Sequence, residues 1–127
     1  MIRVLCLNPT IDRNYYIDSF STGSAFHGTR VESYAGGKGL NIVKVLRSLG
    51  DETVLYAFVG GYNGLRIENE VERLGSGARF FRHEGETRMT INIMDKVKGE
   101  ETEIKESGEI VSPRLEEEFL RTLEIDT

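Results

Sequence analysis

The chain has 127 residues, of which 39% are hydrophobic and 29% are charged, and its formal net charge is −5 at pH 7. This composition suits one globular domain with its own core, and the acidic balance argues against general nucleic-acid binding. No apolar run approaches the roughly 20 residues of a membrane span and no signal pattern is present, so we expect a cytoplasmic protein without a membrane partner. The single cysteine, Cys6, lies in an apolar run and is expected to be a buried structural thiol.

The first segments predict one buried strand and two half-covered strands. Residues 2–7 form a nearly continuous apolar run of the kind found in parallel sheets, and Asn8-Pro9-Thr10 ends it. Aromatic, β-branched and polar residues are mixed at 15–17 and at 29–34, which is typical of short strands with one open face. These two strands need not belong to the main sheet.

The middle of the chain alternates helix and strand. Apolar side chains recur at helical spacing over residues 38–49, as far as Leu49, and Gly50 follows where a left-handed cap is expected. A buried strand is predicted at 53–59, followed by a glycine-rich turn at 60–64 and a second helix. This rhythm predicts an α/β fold with a parallel sheet and right-handed crossovers.

After a third predicted strand at 78–83, the pattern changes. Residues 89–94 alternate strictly between apolar and polar, and with residues 102–105 they predict a hairpin that has one wet face. Ser112-Pro113 marks the start of a helix, whose early acidic run is expected to be a solvated face. Because a crossover helix needs a return strand, we expect residues 1–127 to be the N-terminal part of a longer protein.

Residues 35–41, Ala-Gly-Gly-Lys-Gly-Leu-Asn, are the main candidate for a ligand site. Glycines let several backbone N–H groups converge at a helix N-terminus, which favours an oxyanion. Lys38 adds a mobile cation and Asn41 adds a donor and an acceptor, so the stretch suggests a sugar-phosphate site. Its spacing fits neither a Walker loop nor a dinucleotide fingerprint. From these residues alone, an ordinary strand-to-helix turn is an equally good interpretation.

Two charged residues elsewhere are further candidates, and each has an alternative. Asp12 follows the first strand at the edge where α/β sheets bind ligands, but it could equally stabilise a turn. Arg88 follows a glycine turn, where its fork would suit a phosphate, although composition favours a solvated surface arginine. His27 and His83 have no acidic or cysteine partners at ligand spacing, so no metal site is predicted.

Four motifs, in this order and at these separations, resemble the N-terminal part of the PfkB (ribokinase-like) carbohydrate kinases. They are Leu7-Asn8-Pro9-Thr10-Ile11-Asp12, Ala35-Gly36-Gly37-Lys38-Gly39-Leu40-Asn41, Phe58-Val59-Gly60-Gly61 and Gly85-Glu86-Thr87-Arg88. The resemblance covers nearly the whole chain and is strongest to the 1-phosphofructokinase and tagatose-6-phosphate kinase branch. It implies a ribokinase-like, Rossmann-type three-layer α/β sandwich with an out-of-plane β lid, here truncated.

The resemblance also implies a substrate site. The sugar-phosphate-binding residues would be Asp12, Gly36, Gly37, Lys38, Asn41 and Arg88. In this assignment Asp12 and Asn41 hold hydroxyl groups, while Lys38 and Arg88 neutralise the phosphate already on the substrate. Lid segments at about 12–35 and 88–106 would cover the sugar and keep water away from phosphoryl transfer. Arg30 is a weaker candidate for a phosphate contact.

The implied reaction is the ATP-dependent phosphorylation of fructose 1-phosphate to fructose 1,6-bisphosphate. Tagatose 6-phosphate is the competing substrate, and a non-catalytic sugar-phosphate-binding module is the alternative. The Gly-Ala-Gly-Asp segment that carries the family's catalytic aspartate does not occur in residues 1–127. We therefore expect ATP and Mg²⁺ to belong to the complete enzyme, the C-terminal ATP-binding half to be absent, and this chain alone to be inactive and without catalytic residues. A homodimer through the β lid is one expected arrangement.

Overall fold

The computed structural model describes residues 1–127, which form seven strands and three helices. The strands are β1 (Ile2–Cys6), β2 (Thr10–Tyr16), β3 (Arg30–Gly36), β4 (Thr53–Val59), β5 (Gly77–Arg82), β6 (Met89–Asp95) and β7 (Glu100–Lys105). The helices are α1 (Lys38–Ser48), α2 (Gly61–Arg73) and α3 (Pro113–Asp126). None of these helices combines the length and the apolar composition that a bilayer span requires.

Strand β4 is the centre of a three-stranded parallel sheet with the order β1-β4-β5. Successive side chains of a strand point to opposite faces, and both faces of β4 are buried. On one face, Leu55 and Val59 join the core formed with α1 and α2. On the other face, Tyr56 and Phe58 pack with Phe119 of α3. Helices on both faces of a parallel sheet give three layers, which confirms the predicted α/β class.

The other four strands form a second sheet with the order β3-β2-β6-β7. β2 and β6 are parallel, whereas β3 and β7 run antiparallel to their neighbours, so the predicted hairpin is confirmed as β6 and β7. Paired residues share a face, and the register places Asp12, Asn14, Thr90 and Asn92 on one side, which we call the polar face. The amide of Asn92 donates to Asn14 Oδ1 at 2.8 Å there.

The opposite side of the second sheet is its apolar face. It begins at Ile11, which is fully buried in the same core as α1 and α2. Farther from that core the face carries Ile91 and Ile93, which are half-buried, and Ile104, which is 54% exposed. The second sheet is therefore anchored at one end and overhangs the three-layer part at the other.

The structure excludes one of the two alternatives for Asp12 and differs from two other local predictions. Asp12 does not lie in a turn: it is inside β2, because residues 10–16 pair with β3 and β6 at the same time. Residues 60–64 are not a turn either, since only Gly60 is extended and α2 begins at Gly61. Leu49 is 72% exposed, because α1 ends at Ser48 and Leu49 lies beyond its buried face.

The predicted helix ends are confirmed. Ser112 caps α3, and its hydroxyl accepts a hydrogen bond from the backbone N–H of Leu115 at 3.2 Å. Pro113 follows as the first helical residue, where its missing N–H has no cost. Gly50 has a φ of 88° after α1, the left-handed conformation expected of it.

Candidate functional site

Asp12 and Gly36 lie against each other on the polar face of the second sheet. Asp12 is central in β2, and Gly36, the last residue of β3, pairs with Thr10 two positions away on the same face. A Cβ atom on Gly36 would overlap Oδ2 of Asp12 and lie 3.0 Å from its Cγ. Only glycine at this position therefore lets the carboxylate lie across the start of the turn.

The rest of the glycine turn rests on the end of β1. Gly37 has a φ of 108°, and a Cβ there would lie 3.2 Å from both Cys6 Sγ and Pro9 Cα. A Cβ on Gly39 would lie 2.5 Å from the Leu5 carbonyl oxygen, closer than real contacts allow. The turn thus needs glycine both for conformation and for its close approach to β1. Burial raises the pKa of the Cys6 thiol, and Cys6 is only 4% exposed, which confirms the predicted buried cysteine.

Lys38 and Asn41 lie in the first turn of α1, three residues apart and hence on neighbouring positions of its surface. Both side chains are exposed. Lys38 forms no ion pair within the chain. An unpaired ammonium and an open amide at the N-terminal end of a helix are groups that can contact an anion or a hydroxyl.

Arg88 lies immediately before β6, beside the connection between β1 and β2. Its Nε and Nη2 atoms donate to the Asn8 carbonyl oxygen at 3.2 and 3.0 Å, and its own carbonyl accepts from Ile11 N at 3.0 Å. The Asn8 carbonyl also lies 3.7 Å from the position that a Cβ would take on Gly37. Arg88 is therefore held at the same edge as the glycine turn, and it is not a freely solvated arginine.

Burial and nearby positive charges act in opposite directions on the carboxyl group of Asp12. Burial raises the pKa of its carboxyl above the ordinary value, while the positive charges of Lys44, Arg88 and Lys105 oppose that shift. No hydrogen bond contributes to this balance, so the carboxylate oxygens keep their capacity to accept. A half-buried carboxylate among three cations can accept hydrogen bonds from hydroxyl groups while the cations offset an added negative charge.

The motifs at residues 58–61 and 85–88 were identified from the sequence, but the contacts between them, which hold Arg88 in place, were not predicted. Thr87 donates its N–H to the Gly60 carbonyl and accepts the Gly60 N–H at its hydroxyl, both at 2.9 Å. The side-chain amide of Asn63 donates to the Thr87 carbonyl at 3.0 Å, and Glu86 accepts from the Asn63 N–H at 2.5 Å. Gly60 thus binds the loop that leads to Arg88, and the Glu86 carboxylate accepts a backbone N–H in the first turn of α2.

Arg30 is not brought to the glycine turn. It begins β3, whereas Gly36 ends it, so the two are separated by the length of a seven-residue strand, about 20 Å. Its guanidinium pairs with Glu32 and lies 4.4 Å from the centre of the Tyr16 ring. Arg30 instead makes its contacts at the end of the second sheet that is farther from the glycine turn.

The structure holds no cluster of metal-ligating side chains. No group of three or more His, Cys, Asp or Glu side chains is arranged to hold a metal ion. The helix N-terminus behind Gly60 is filled by Glu86. The groups that remain open at this edge are the Asp12 carboxylate, Lys38 and Asn41, which can contact hydroxyl groups and an anion.

The fold is a Rossmann-type three-layer α/β unit with a second, four-stranded sheet anchored at its edge. Residues 1–124 match the pfkB family of carbohydrate kinases, and the chain belongs to this family. It is 37% identical over 119 residues to tagatose-6-phosphate kinase of Staphylococcus epidermidis, a match that covers 94% of this chain and 38% of that protein.

Solved structures agree with the family assignment. A possible 1-phosphofructokinase from Thermotoga maritima superimposes with a TM-score of 0.87 and is 31% identical, covering 98% of this chain and 41% of that chain. Escherichia coli phosphofructokinase-2 in complex with fructose-6-phosphate also gives a TM-score of 0.87, at 18% identity. The match covers 97% of this chain and 41% of that chain, and at this identity it supports the fold alone. The ribokinase-like fold is confirmed, and the chain spans about 40% of the length of these relatives.

Proposed function

We propose that this chain is the sugar-phosphate-binding part of an ATP-dependent kinase that converts fructose 1-phosphate to fructose 1,6-bisphosphate. One observation carries the proposal: Asp12, the glycine turn and Arg88 meet at one edge of the molecule, although they come from three separate parts of the sequence. ATP and Mg²⁺ belong to the complete enzyme in this proposal.

Each proposed site residue has a role that its chemistry supports. Asp12 accepts hydrogen bonds from sugar hydroxyls, and Asn41 can both donate and accept. Gly36 leaves room for the Asp12 carboxylate, and Gly37 takes the positive φ that the turn requires. Lys38 and Arg88 neutralise the phosphate of the substrate, Lys38 as a mobile point charge and Arg88 as a fork that the Asn8 carbonyl already orients.

The experiment is calorimetric titration of the purified chain with fructose 1-phosphate, tagatose 6-phosphate and ATP. We expect a sugar phosphate to bind, and Arg88→Ala or Lys38→Ala to raise its Kd by about 10- to 100-fold, because each loses a charge-assisted contact. Arg121→Ala is the matched control, since Arg121 is an exposed arginine paired only with Glu117 on α3. Equal Kd values for Arg88→Ala and Arg121→Ala would contradict the assignment of the site.

Tagatose 6-phosphate is the second candidate substrate. The observation that favours it is the 37% identity to a protein named tagatose-6-phosphate kinase. The same titration separates the two, because the preferred sugar phosphate is the one whose Kd is lower for the wild-type chain. Incubation with ATP tests the chemistry: binding without production of ADP would support a binding module, and production of ADP would contradict our expectation that the chain alone is inactive.

We further propose that two copies associate through the lid, which we identify with the second sheet. Its apolar face overhangs the core and carries Val31 and Ile104, which are 42% and 54% exposed. One relative in fold, Escherichia coli phosphofructokinase-2, is described as tetrameric in an inhibited form. Sedimentation should give a dimer that Ile104→Lys dissociates. Val97→Lys, in the exposed turn before β7, should leave the dimer intact.

A further inference from the structure

Strand β3 is an edge strand of the second sheet, and its residue Ala35 turns both backbone polar groups away from β2. The Ala35 N–H donates to Glu70 Oε2 of α2 at 2.6 Å, and the Ala35 carbonyl accepts from Lys44 Nζ of α1. The outward-facing N–H and carbonyl groups of an edge strand otherwise form hydrogen bonds with water or with another strand. Here two side chains from two helices of the three-layer part satisfy it.

Lys44 and Glu70 also pair with each other, at 3.7 Å between Nζ and Oε1. Their side chains are 28% and 25% exposed, so the pair is largely shielded from solvent. The two charges cannot be exchanged, because only a carboxylate can accept from the Ala35 N–H and only an ammonium can donate to the Ala35 carbonyl. Exchange of the two charges would preserve the ion pair but leave both backbone groups facing the wrong partner.

The position of Ala35 gives this arrangement a functional meaning. Ala35 directly precedes Gly36, whose Cα lies under the carboxylate of Asp12, and Gly37, which takes a φ of 108°. The ammonium of Lys44 also lies 5.2 Å from the centre of the Tyr34 ring, and Tyr34 pairs with Asp12 across β2 and β3. Lys44 and Glu70 therefore bind the backbone of Ala35, the residue that precedes the glycine turn at the end of β3.

We propose that Lys44 and Glu70 are positioning residues that clamp Ala35 and thereby hold Gly36 and Gly37 against Asp12 in the conformation that receives a sugar phosphate. The functional part of this inference rests on the proposed function. Neither residue needs to contact the ligand: both act through the backbone of the turn. The cation of Lys44 further offsets the charge of Asp12, together with Arg88 and Lys105, which are the other cations that act on this carboxylate.

Amide hydrogen exchange on the ligand-free chain tests the clamp directly. In Glu70→Ala, exchange at Ala35 and Gly36 should accelerate by about tenfold or more, because a charged acceptor is lost from a partly buried N–H. Glu68→Ala is the matched control, since Glu68 lies on the same helix but pairs with Arg82 of β5. Unchanged exchange at Ala35 in Glu70→Ala would overturn the proposal.

A charge exchange distinguishes a clamp from an ordinary ion pair. The double variant Lys44→Glu, Glu70→Lys keeps opposite charges at the two positions, so a simple ion-pair role predicts wild-type exchange at Ala35. The clamp predicts that exchange stays fast in the double variant and that Lys44→Arg, which still donates to the carbonyl, remains near wild type. Recovery of slow exchange in the double variant would overturn the proposal.

Titration with fructose 1-phosphate and tagatose 6-phosphate tests the functional consequence. Lys44→Met and Glu70→Ala should raise the Kd by about tenfold or more, whereas Lys44→Arg should not. Lys96→Met is the control, because Lys96 also lies over a tyrosine ring, at 5.5 Å from Tyr16. Fast Ala35 exchange with an unchanged Kd would overturn the positioning role. Absence of binding by the wild-type chain would count against the proposed function, and the exchange data would still decide the clamp.

Discussion

The carboxylate of Asp12 occupies the space in which any residue other than glycine at position 36 would place its Cβ. Gly36→Ala should therefore displace Asp12 and raise the Kd for the sugar phosphate by about tenfold or more. Gly28→Ala provides the control, because its Cβ would lie at ordinary contact distances, 3.5 Å from Tyr15 and 3.6 Å from Val31. Calorimetric titration measures both variants, and equal affinities would contradict the contact.

Gly39→Ala should destabilise the fold itself. Its Cβ would meet the backbone of β1, 2.5 Å from the Leu5 carbonyl oxygen and 2.9 Å from Cys6 Cα, so helix and strand must separate. We expect a loss of about 1–3 kcal/mol in the free energy of unfolding, measured by urea denaturation. Val45→Ala, which changes a 58% exposed position of the same helix, should change it by less than about 0.5 kcal/mol.

Phe119 is the main anchor of α3 on the three-stranded sheet. Its ring lies 4.8 Å from that of Phe58 and 5.2 Å from that of Phe81, and the residue is 5% exposed. Phe119→Ala should lower the free energy of unfolding by about 3–5 kcal/mol, because it leaves a cavity in an aromatic cluster. The neighbouring Leu120→Ala, at a 55% exposed position, should have little effect on urea unfolding. A comparable loss of unfolding free energy in Phe119→Ala and Leu120→Ala would show that Phe119 is not the main contact between α3 and the sheet.

Asp95 should make the second sheet sensitive to acid. Its carboxylate accepts from the N–H groups of Ser19, Phe20, Val97 and Lys98. Burial alone would raise the pKa of Asp95, but these hydrogen bonds favour the ionised form and hold the pKa below its ordinary value. Because the folded pKa is the lower one, this stabilisation is complete above the unfolded value of about 4 and is lost as the pH falls through the folded pKa.

Urea unfolding at several pH values measures this effect. From about pH 5 down to 2, the stability of the wild-type chain should fall more steeply than that of Asp95→Asn, which cannot ionise. Asp51→Asn is the control, since Asp51 is exposed in the loop before β4. Parallel pH curves for wild type and Asp95→Asn would rule out the hydrogen-bonded carboxylate as the source of acid sensitivity.

Much of this fold could be predicted from the sequence, because many helix and strand ends are determined by residues close to them in the chain. The apolar run before Val59, the Ser112-Pro113 start and the glycine at position 50 each depend on neighbours a few residues away. Local patterns left open whether Asp12 stabilises a turn, because β2 is a strand only through pairing with two distant strands. Pairing across the chain leaves little trace in a short polar segment.

The same distinction applies to the candidate site. The glycine turn, Asp12 and Arg88 were candidates because glycine and charged residues at strand ends have recognisable chemistry. Lys44 and Glu70 carried no such signal, because Glu70 lies 35 residues from the backbone group it binds. On a helix surface, a lysine and a glutamate are indistinguishable from solvated charges until the partner strand is known.

Parallel pairing of β2 with β6 also makes the candidate site depend on long-range contacts. Thr10 and Arg88, 78 residues apart, meet only when these two strands join. Closing so long a loop is slow compared with forming the local elements within it. Because Ile11 of β2 belongs to the hydrophobic core, the pairing that completes this core is also the pairing that brings Asp12 and Arg88 to one edge of the molecule.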